Sequence, residues 1–158
     1  MLIEEGAVDP AALPVEAFRD HLRLGSGFAD DGMQDGVLEG LLLSAIATLE
    51  ARTGKVFLSR DFLWQVTAWL DLVKATLPVA PVTALTGFAI VERDGTVVPV
   101  DPARYALKPD AQRPALVSTG VMLPIIPVGG SAEIGFTAGY GAQWAALPAD
   151  LAQAVFML

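Results

Sequence analysis

Cysteine is absent from the 158-residue sequence, and histidine occurs once. Without cysteine there is no disulfide framework, no thiolate nucleophile and no zinc site built on thiolates. A catalytic triad or a histidine general base would have to use His21, which lies between Asp20 and Leu22 in a predicted helix. A partly exposed structural histidine explains that position without any chemistry. We therefore predict that the protein is not an enzyme and has no catalytic residue.

Basic residues are scarce, since 10 Lys and Arg against 18 Asp and Glu give a formal net charge of −8. They form no cluster, which disfavours a nucleic-acid binder that grips phosphates. Long apolar runs are also missing, because a membrane-spanning helix needs about 20 consecutive apolar residues. The run 41–47 is short and contains Ser44, and the run 121–128 contains Pro124 and Pro127. We therefore predict no membrane segment.

Acidic pairs and glycine motifs are present, but none has the spacing of a known site. Residues 4–5 and 30–31 are carboxylate pairs in a predicted leader and a helix-start loop, where solvated or helix-capping acids are expected. With Asp35, the second pair lacks the spacing and the closing glutamate of a calcium loop. The glycines of 129–130 and 139–141 open no phosphate-binding helix. We predict no metal site and no cofactor.

The sequence has more apolar residues than one small domain needs. Its length indicates a single domain. Hydrophobic residues make up 53% of it, and the mean hydropathy is +0.51, above the usual apolar share of about 45–50%. Obligate oligomer interfaces resemble a domain core cut in half. Burial between subunits is therefore the expected use of the excess.

The chain divides into a leader and one domain. Residues 1–14 lack periodicity, basic residues and a long apolar stretch, which indicates a flexible leader or arm and no secretion signal. Residues 15–158 form the predicted domain, with a helical part at 15–55, a β-rich part at 60–137 and a C-terminal helix at 148–158. Within the helical part, a short helix is expected to end at Gly25 and a long one at Gly54.

The long helix is the strongest local pattern and has two faces. An apolar stripe of helical period consists of Val37, Leu38, Leu41, Leu42, Ala45, Ile46 and Leu49. The second face consists of small residues, namely Gly36, Gly40, Ser44 and Ala47. Glycine destabilises a helix relative to alanine, so this face predicts a close contact with another helix, either within the fold or between subunits. A frayed helix start explains the glycines equally well.

The β-rich part begins with alternating residues and contains a strong hairpin signal. From Arg60 the apolar residues recur with a period of two as far as Leu70. Trp69 lies on the other face, where packing is favoured over an interface. Strands at 84–92 and 96–100 are joined through Asp94–Gly95, a tight-turn pair. We predict an α+β fold, with N-terminal helices and a C-terminal helix on a small, mostly antiparallel sheet.

The order of these elements is more informative than any single motif. The segments that carry it are Phe18–Arg23, the acidic loop through Asp30–Asp31, Glu50–Lys55, Leu77–Pro78, Pro81–Val82, Asp94–Gly95, Asp101, Tyr105, Phe136–Gly141 and Leu147–Leu151. This ordered set, spanning about residues 15–158, resembles the head-to-tail connector (adaptor) family of tailed phages and of phage-derived gene transfer agents.

The resemblance implies a structural role at the head-tail junction of a phage or a phage-like particle made in the bacterial cytoplasm. Copies of the chain would form a ring, dodecameric by analogy with the portal. This ring would lie between the portal protein and the tail-completion (stopper) protein. DNA would pass through the channel without sequence-specific binding. The acidic composition suits a neutral or negative channel wall.

The resemblance also assigns surfaces. The portal-facing residues would lie on the last helix, and the tail-side loop would be the hairpin turn. These are Leu151, Val155, Phe156 and Leu158 for the portal, and Arg93, Asp94 and Gly95 for the tail side. The sequence departs from the family in two places. It has the leader, and its last helix stops before the aromatic-rich continuation that is usual in the family. The second departure is compatible with a natural chain that continues beyond Leu158.

A competing interpretation is a monomeric β-rich module that binds a small ligand or a peptide. In that case the apolar excess would line a pocket. The two interpretations differ in association, because a connector self-associates with rising concentration and a binding module stays monomeric.

Overall fold

The computed structural model of the chain describes residues 1–22 and 33–158. Its helices are α1 (Val15–His21), α2 (Met33–Thr53) and α3 (Ala149–Met157), and its strands are β1 (Leu2–Glu4), β2 (Arg60–Val66), β3 (Lys74–Thr76), β4 (Val82–Val91), β5 (Val97–Pro99), β6 (Tyr105–Lys108), β7 (Ala115–Ser118) and β8 (Ser131–Ala138). The predicted α+β class is confirmed. The predicted acidic loop at 30–31 and the helix end at Gly25 lie outside the described residues.

Two antiparallel sheets form the β part. The larger has the strand order β1-β2-β8-β4-β5 and the smaller the order β3-β7-β6. Strand β8 lies at the centre of the larger sheet, where Ile134 and Phe136 are completely buried. Phe136 stacks on Phe62 of the neighbouring strand with ring centroids 5.7 Å apart. A slip of one residue would move one of these rings to the opposite face of the sheet. The pair therefore helps to fix the register of the two strands.

A second core lies among the helices. The predicted stripe of α2 is buried only in part, through Leu38, Leu42, Ala45 and Ile46. The helix ends at Gly54, as predicted, where φ is +66° and a side chain would be strained. In the described parts of the chain, no helix combines the length and the apolar character that crossing a membrane requires.

The strands of the larger sheet give the molecule two ends. Arg60 pairs with Ala138 at the end where the helices attach, which we call the helix end. At the other end, Val66 pairs with Ala132, and Val91 pairs with Ser131. We call this the loop end. The seven residues of β2, at about 3.3 Å each, separate the two ends by about 20 Å.

Residues 1–14 differ from the predicted flexible leader. Leu2 pairs with Trp64 at the edge of the larger sheet, and Ala12 and Leu13 are buried in the helical core. Asp9 caps a short 3-10 turn by accepting a hydrogen bond from the Ala11 backbone. The sequence could not show this, because β1 is only three residues long, too short to display a period, and its partner strand is about sixty residues away.

The first predicted strand of the β part is also shorter than expected. It ends at Val66, and Leu70 points fully into solvent. Trp69 packs edge-on against Phe88 and donates its Nε1 proton to the Pro124 carbonyl at 2.7 Å. The packing role predicted for Trp69 is therefore correct.

Candidate interaction surfaces

The described residues hold no group of three or more histidine and carboxylate side chains placed to bind a metal. His21 lies against Phe156, with ring centroids 5.4 Å apart.

One buried charge network connects the helical core to the larger sheet. Glu50 of α2 accepts from Nη2 of Arg60 at 2.6 Å and from the Phe57 backbone at 2.7 Å. The Arg60 Nε lies 2.6 Å from Glu4 of β1 as an ion pair, without the alignment of a hydrogen bond. Burial alone would lower the pKa of Arg60, but the hydrogen bond and charge of Glu50, and then those of Glu4, raise it. The network therefore joins α2, β1 and β2.

The small-residue face of α2 points away from the core. Gly36, Gly40, Ser44 and Ala47 are all exposed. A Cβ added to Gly36 or Gly40 would meet no atom of the described residues within 4 Å. Two contacts were predicted for this face, one within the fold and one between subunits. The described residues do not make the contact within the fold. A contact between subunits remains as the proposal.

The predicted portal-facing residues of α3 divide into two groups. Val155 is 1% exposed, and Phe156 stacks on Phe18 and on Trp144 at centroid distances of 5.6 and 5.8 Å. Leu151 is half-buried in the same core. Assigning Val155 to a partner surface was wrong, because α3 uses it to attach to the fold. Leu158, at 63% exposed, is accessible.

A groove between the three helices was not predicted. It measures about 510 Å³, and its exposed apolar rim consists of Leu22, Leu41, Met157 and Leu158. Ser44 lies both in this groove and on the small-residue face of α2. We call it the helical groove. The sequence pattern could not separate Leu41 from its buried neighbour Leu42, because both belong to one broad apolar stripe.

The predicted hairpin turn is confirmed. Gly95 has a φ of +89°, and its backbone donates to the Glu92 carbonyl at 3.0 Å. The Thr96 backbone donates to Asp94 at 2.9 Å, which lowers the pKa of the Asp94 carboxyl. Arg93, Asp94 and Gly95 are exposed at the loop end. Their role towards a tail protein stays a proposal.

A second unpredicted surface lies at the same end. Two loops, at 67–73 and 119–130, expose seven large apolar side chains, namely Leu70, Leu72, Val73, Val121, Met122, Ile125 and Val128. We call them the two-loop surface. In the sequence, the prolines at 124 and 127 indicate only that the apolar run is too short for a membrane helix. They do not predict that its side chains are exposed.

The two loops are tied to one another and to the β core. The Leu123 backbone donates to the Leu72 carbonyl at 2.7 Å, and the Leu123 side chain is buried. Trp69 bridges the loops through its bond to Pro124. The Ser118 hydroxyl donates to the Met122 carbonyl at 2.8 Å. The apolar side chains are therefore held outward by an ordered backbone.

Charge is divided unevenly between the first 50 residues and the rest of the chain. Residues 1–50 contain ten acidic and two basic residues, which accounts for the whole net charge of −8. Residues 51–158 contain eight of each. In the smaller sheet, the strands carry Lys74 and Lys108 and no acidic residue. The first 50 residues thus carry the net negative charge, and the charges of the rest of the chain sum to zero.

Comparison with solved structures finds close similarity along the whole chain. A chain in the neck of an empty gene transfer agent (GTA) particle, computed with C6 symmetry, is 52% identical with a TM-score of 0.94. A chain in the virion of a native particle is 52% identical with a TM-score of 0.91. A chain in the neck of a native particle, computed with C12 symmetry, is 47% identical with a TM-score of 0.88.

Each of these alignments covers 100% of the present chain and 80 or 81% of the other. The present chain thus spans about four-fifths of their length. No protein-family profile and no curated protein matches the sequence.

Proposed function

Because this chain belongs to the family of gene transfer agent neck proteins represented by those chains, we propose that it is a head-to-tail connector (adaptor) subunit. It forms a ring between the portal protein and the tail-completion protein, around the channel through which DNA leaves. The observation that carries the proposal is 52% identity at a TM-score of 0.94, over the full chain, to a chain of a particle neck. The function is structural.

The rotational symmetry of the similar particles supports the ring. Similar chains occur in necks computed with C6 and C12 symmetry, and a ring of identical subunits needs one contact repeated head to tail. Twelve copies, one for each portal subunit, agree with that symmetry. The exposed small-residue face of α2 is the proposed place where neighbouring helices approach each other closely.

The two ends of the fold support the direction of the subunit in the particle. The exposed tip of α3 lies at the helix end, and the hairpin with Arg93 lies at the loop end. We assign the helix end to the portal and the loop end to the tail-completion protein. With a net charge of −8, the ring repels phosphates and lets DNA pass without sequence-specific binding.

Replacing Leu158 with aspartate is expected to abolish binding to the portal protein of the same particle while the fold is kept. Leu158 is 63% exposed, so the free energy of unfolding should change by no more than about 0.5 kcal/mol. A charge placed in an apolar contact costs binding because it must lose its water. Co-purification with a tagged portal protein measures the effect.

Val97→Asp is the matched control, because Val97 is similarly exposed, at 57%, but lies on edge strand β5 away from α3. It should bind the portal like the unchanged protein. Equal binding by Leu158→Asp would remove the tip of α3 from the portal interface. Failure of the unchanged chain to bind the portal at all would contradict the connector function itself.

A further inference from the structure

We propose that the two sheets meet between neighbouring copies, with the outer face of the larger sheet in one copy packed on the outer face of the smaller sheet in the next. The inference rests on the proposed ring and names the sheet surfaces that close it. It adds a second contact to the one proposed for the small-residue face of α2.

The two sheets share one core, so their outer faces lie on opposite sides of the β part. Their inward side chains, among them Phe88 of β4, Leu116 of β7 and Tyr105 of β6, pack in one hydrophobic cluster. The rings of Phe88 and Tyr105 meet edge to face with centroids 5.2 Å apart. Side chains alternate along a strand, so the residues between these inward ones point outward.

Both faces run between the helix end and the loop end and are therefore lateral in the ring. In the larger sheet, β2 joins the two ends. In the smaller sheet, β3 begins directly after the loop 67–73, and the chain beyond β3 leads to Ala80, whose backbone donates to the Gly54 carbonyl at 3.0 Å. A ring around an axis that joins the two ends brings lateral faces of neighbouring copies together. Because the two faces differ, the contact is heterologous and repeats until the ring closes.

The outer face of the larger sheet is acidic. Its charged side chains are Glu5, directly after β1, Asp61 of β2 and Glu133 of β8, and the outward positions of the five strands hold no lysine or arginine. Among the described residues, neither Glu5 nor Glu133 forms an ion pair. An open cleft of about 510 Å³ crosses this face over Gly87 and Gly135, with both glutamates in its lining. The face therefore presents carboxylates that the fold itself does not neutralise.

The outer face of the smaller sheet is basic. It carries Lys74 of β3 and Lys108 of β6, both exposed, together with the small side chain of Ala106. The segment 104–113, which includes β6, has three basic residues and one acidic residue. The acidic one, Asp110, accepts hydrogen bonds from the backbone of its own turn. Positive charge thus predominates on this side of the β part.

Charge and shape both favour pairing the two different faces. Complementary potentials stabilise a contact, whereas two copies of the larger sheet's face would bring Glu5 and Glu133 of each together. Small outward side chains, such as Ala89 and Gly135 on one face and Ala106 on the other, let the sheets approach closely. Packed sheets usually lie about 10 Å apart.

Reversing a charge on either face tests the pairing. Glu133→Lys and Lys108→Glu should each prevent ring assembly on the portal protein, because each places like charges in the contact. The double variant, which exchanges the two charges, should restore most of the assembled ring. Glu92→Lys is the matched control, since it makes the same change of charge at an exposed residue of the hairpin, and it should assemble like the unchanged protein. Negative-stain electron microscopy of portal complexes counts the rings, and circular dichroism checks that each variant is folded.

Cross-linking tests the same faces without changing their charge, because the sequence has no cysteine of its own. The double variant Ala89→Cys/Ala106→Cys, assembled on the portal protein and treated with a bismaleimide, should give a ladder of covalent oligomers on a denaturing gel. A mixture of the two single variants should stop at dimers, because each chain then holds only one thiol. Ala17→Cys/Ala106→Cys is the control, since Ala17 is exposed but lies on α1, and it should remain monomeric.

The outcomes separate this inference from the proposed function. If the unchanged chain assembles on the portal but neither charge reversal weakens assembly, or the variant Ala89→Cys/Ala106→Cys stays monomeric, the pairing of the two faces is wrong. A charge exchange that assembles no better than the single reversals would also overturn it, as would dimers of Ala89→Cys alone, which indicate a symmetric contact. If the unchanged chain does not assemble on the portal, the connector function fails and the inference fails with it.

Discussion

Replacing Arg60 with methionine should lower the free energy of unfolding by about 3–5 kcal/mol, the usual effect of removing one partner from a buried ion pair. Methionine keeps much of the volume but leaves Glu50, whose side chain is only 12% exposed, without its cation. Glu4 of β1 loses the same partner. The large effect is expected because one guanidinium connects the leader, α2 and β2. Urea unfolding followed by circular dichroism measures it.

Arg113→Met is the matched control, because Arg113 is exposed and exposed substitutions usually change stability by no more than about 0.5 kcal/mol. The double variant Glu50→Gln/Arg60→Met should recover part of the loss, since it removes the unpaired carboxylate as well. A loss below about 1 kcal/mol for Arg60→Met would show that the network contributes little to the fold.

Gly40→Leu should make the isolated chain more stable and prevent it from joining the ring. No atom of the described residues lies within 4 Å of an added Cβ, so leucine fits the monomer. Leucine is the better helix former by about 0.5–1 kcal/mol. Between subunits, however, the larger side chain would separate helices that the small-residue face brings close. Thermal unfolding measures the gain, and co-sedimentation with the portal complex measures the loss.

Gly40→Ala provides a graded comparison, because it brings a similar gain in helix stability but adds only a methyl group. It should retain most of the assembly. Normal incorporation of Gly40→Leu into the ring would exclude the small-residue face from the subunit contact. A less stable monomer would instead show that the face packs within the fold.

Features governed by local chemistry were predictable from the sequence. The turn at Asp94–Gly95 and the end of α2 at Gly54 follow from residues that tolerate a positive φ. The α+β class follows from the change between helical and strand periods. These features depend on neighbours within a few residues, which a single sequence displays directly.

Features governed by distant contacts were not predictable. The pairing of Leu2 with Trp64 joins positions that share no local pattern. Val155 was assigned to a partner, because hydrophobicity alone does not distinguish a side chain that packs inward from one that packs on another protein. The two-loop surface was not predicted for the same reason. Val121 and Ile125 are exposed because Leu123 anchors the loop, and hydrophobicity alone does not show which of these residues is the anchor.

Cryo-electron microscopy of this chain with the portal protein of its particle tests the connector function most directly. The account predicts a closed ring of twelve copies on the portal, with α3 towards the portal and the hairpin at Arg93–Gly95 on the opposite side. A portal without a ring, or a ring with the hairpin against the portal, would contradict it.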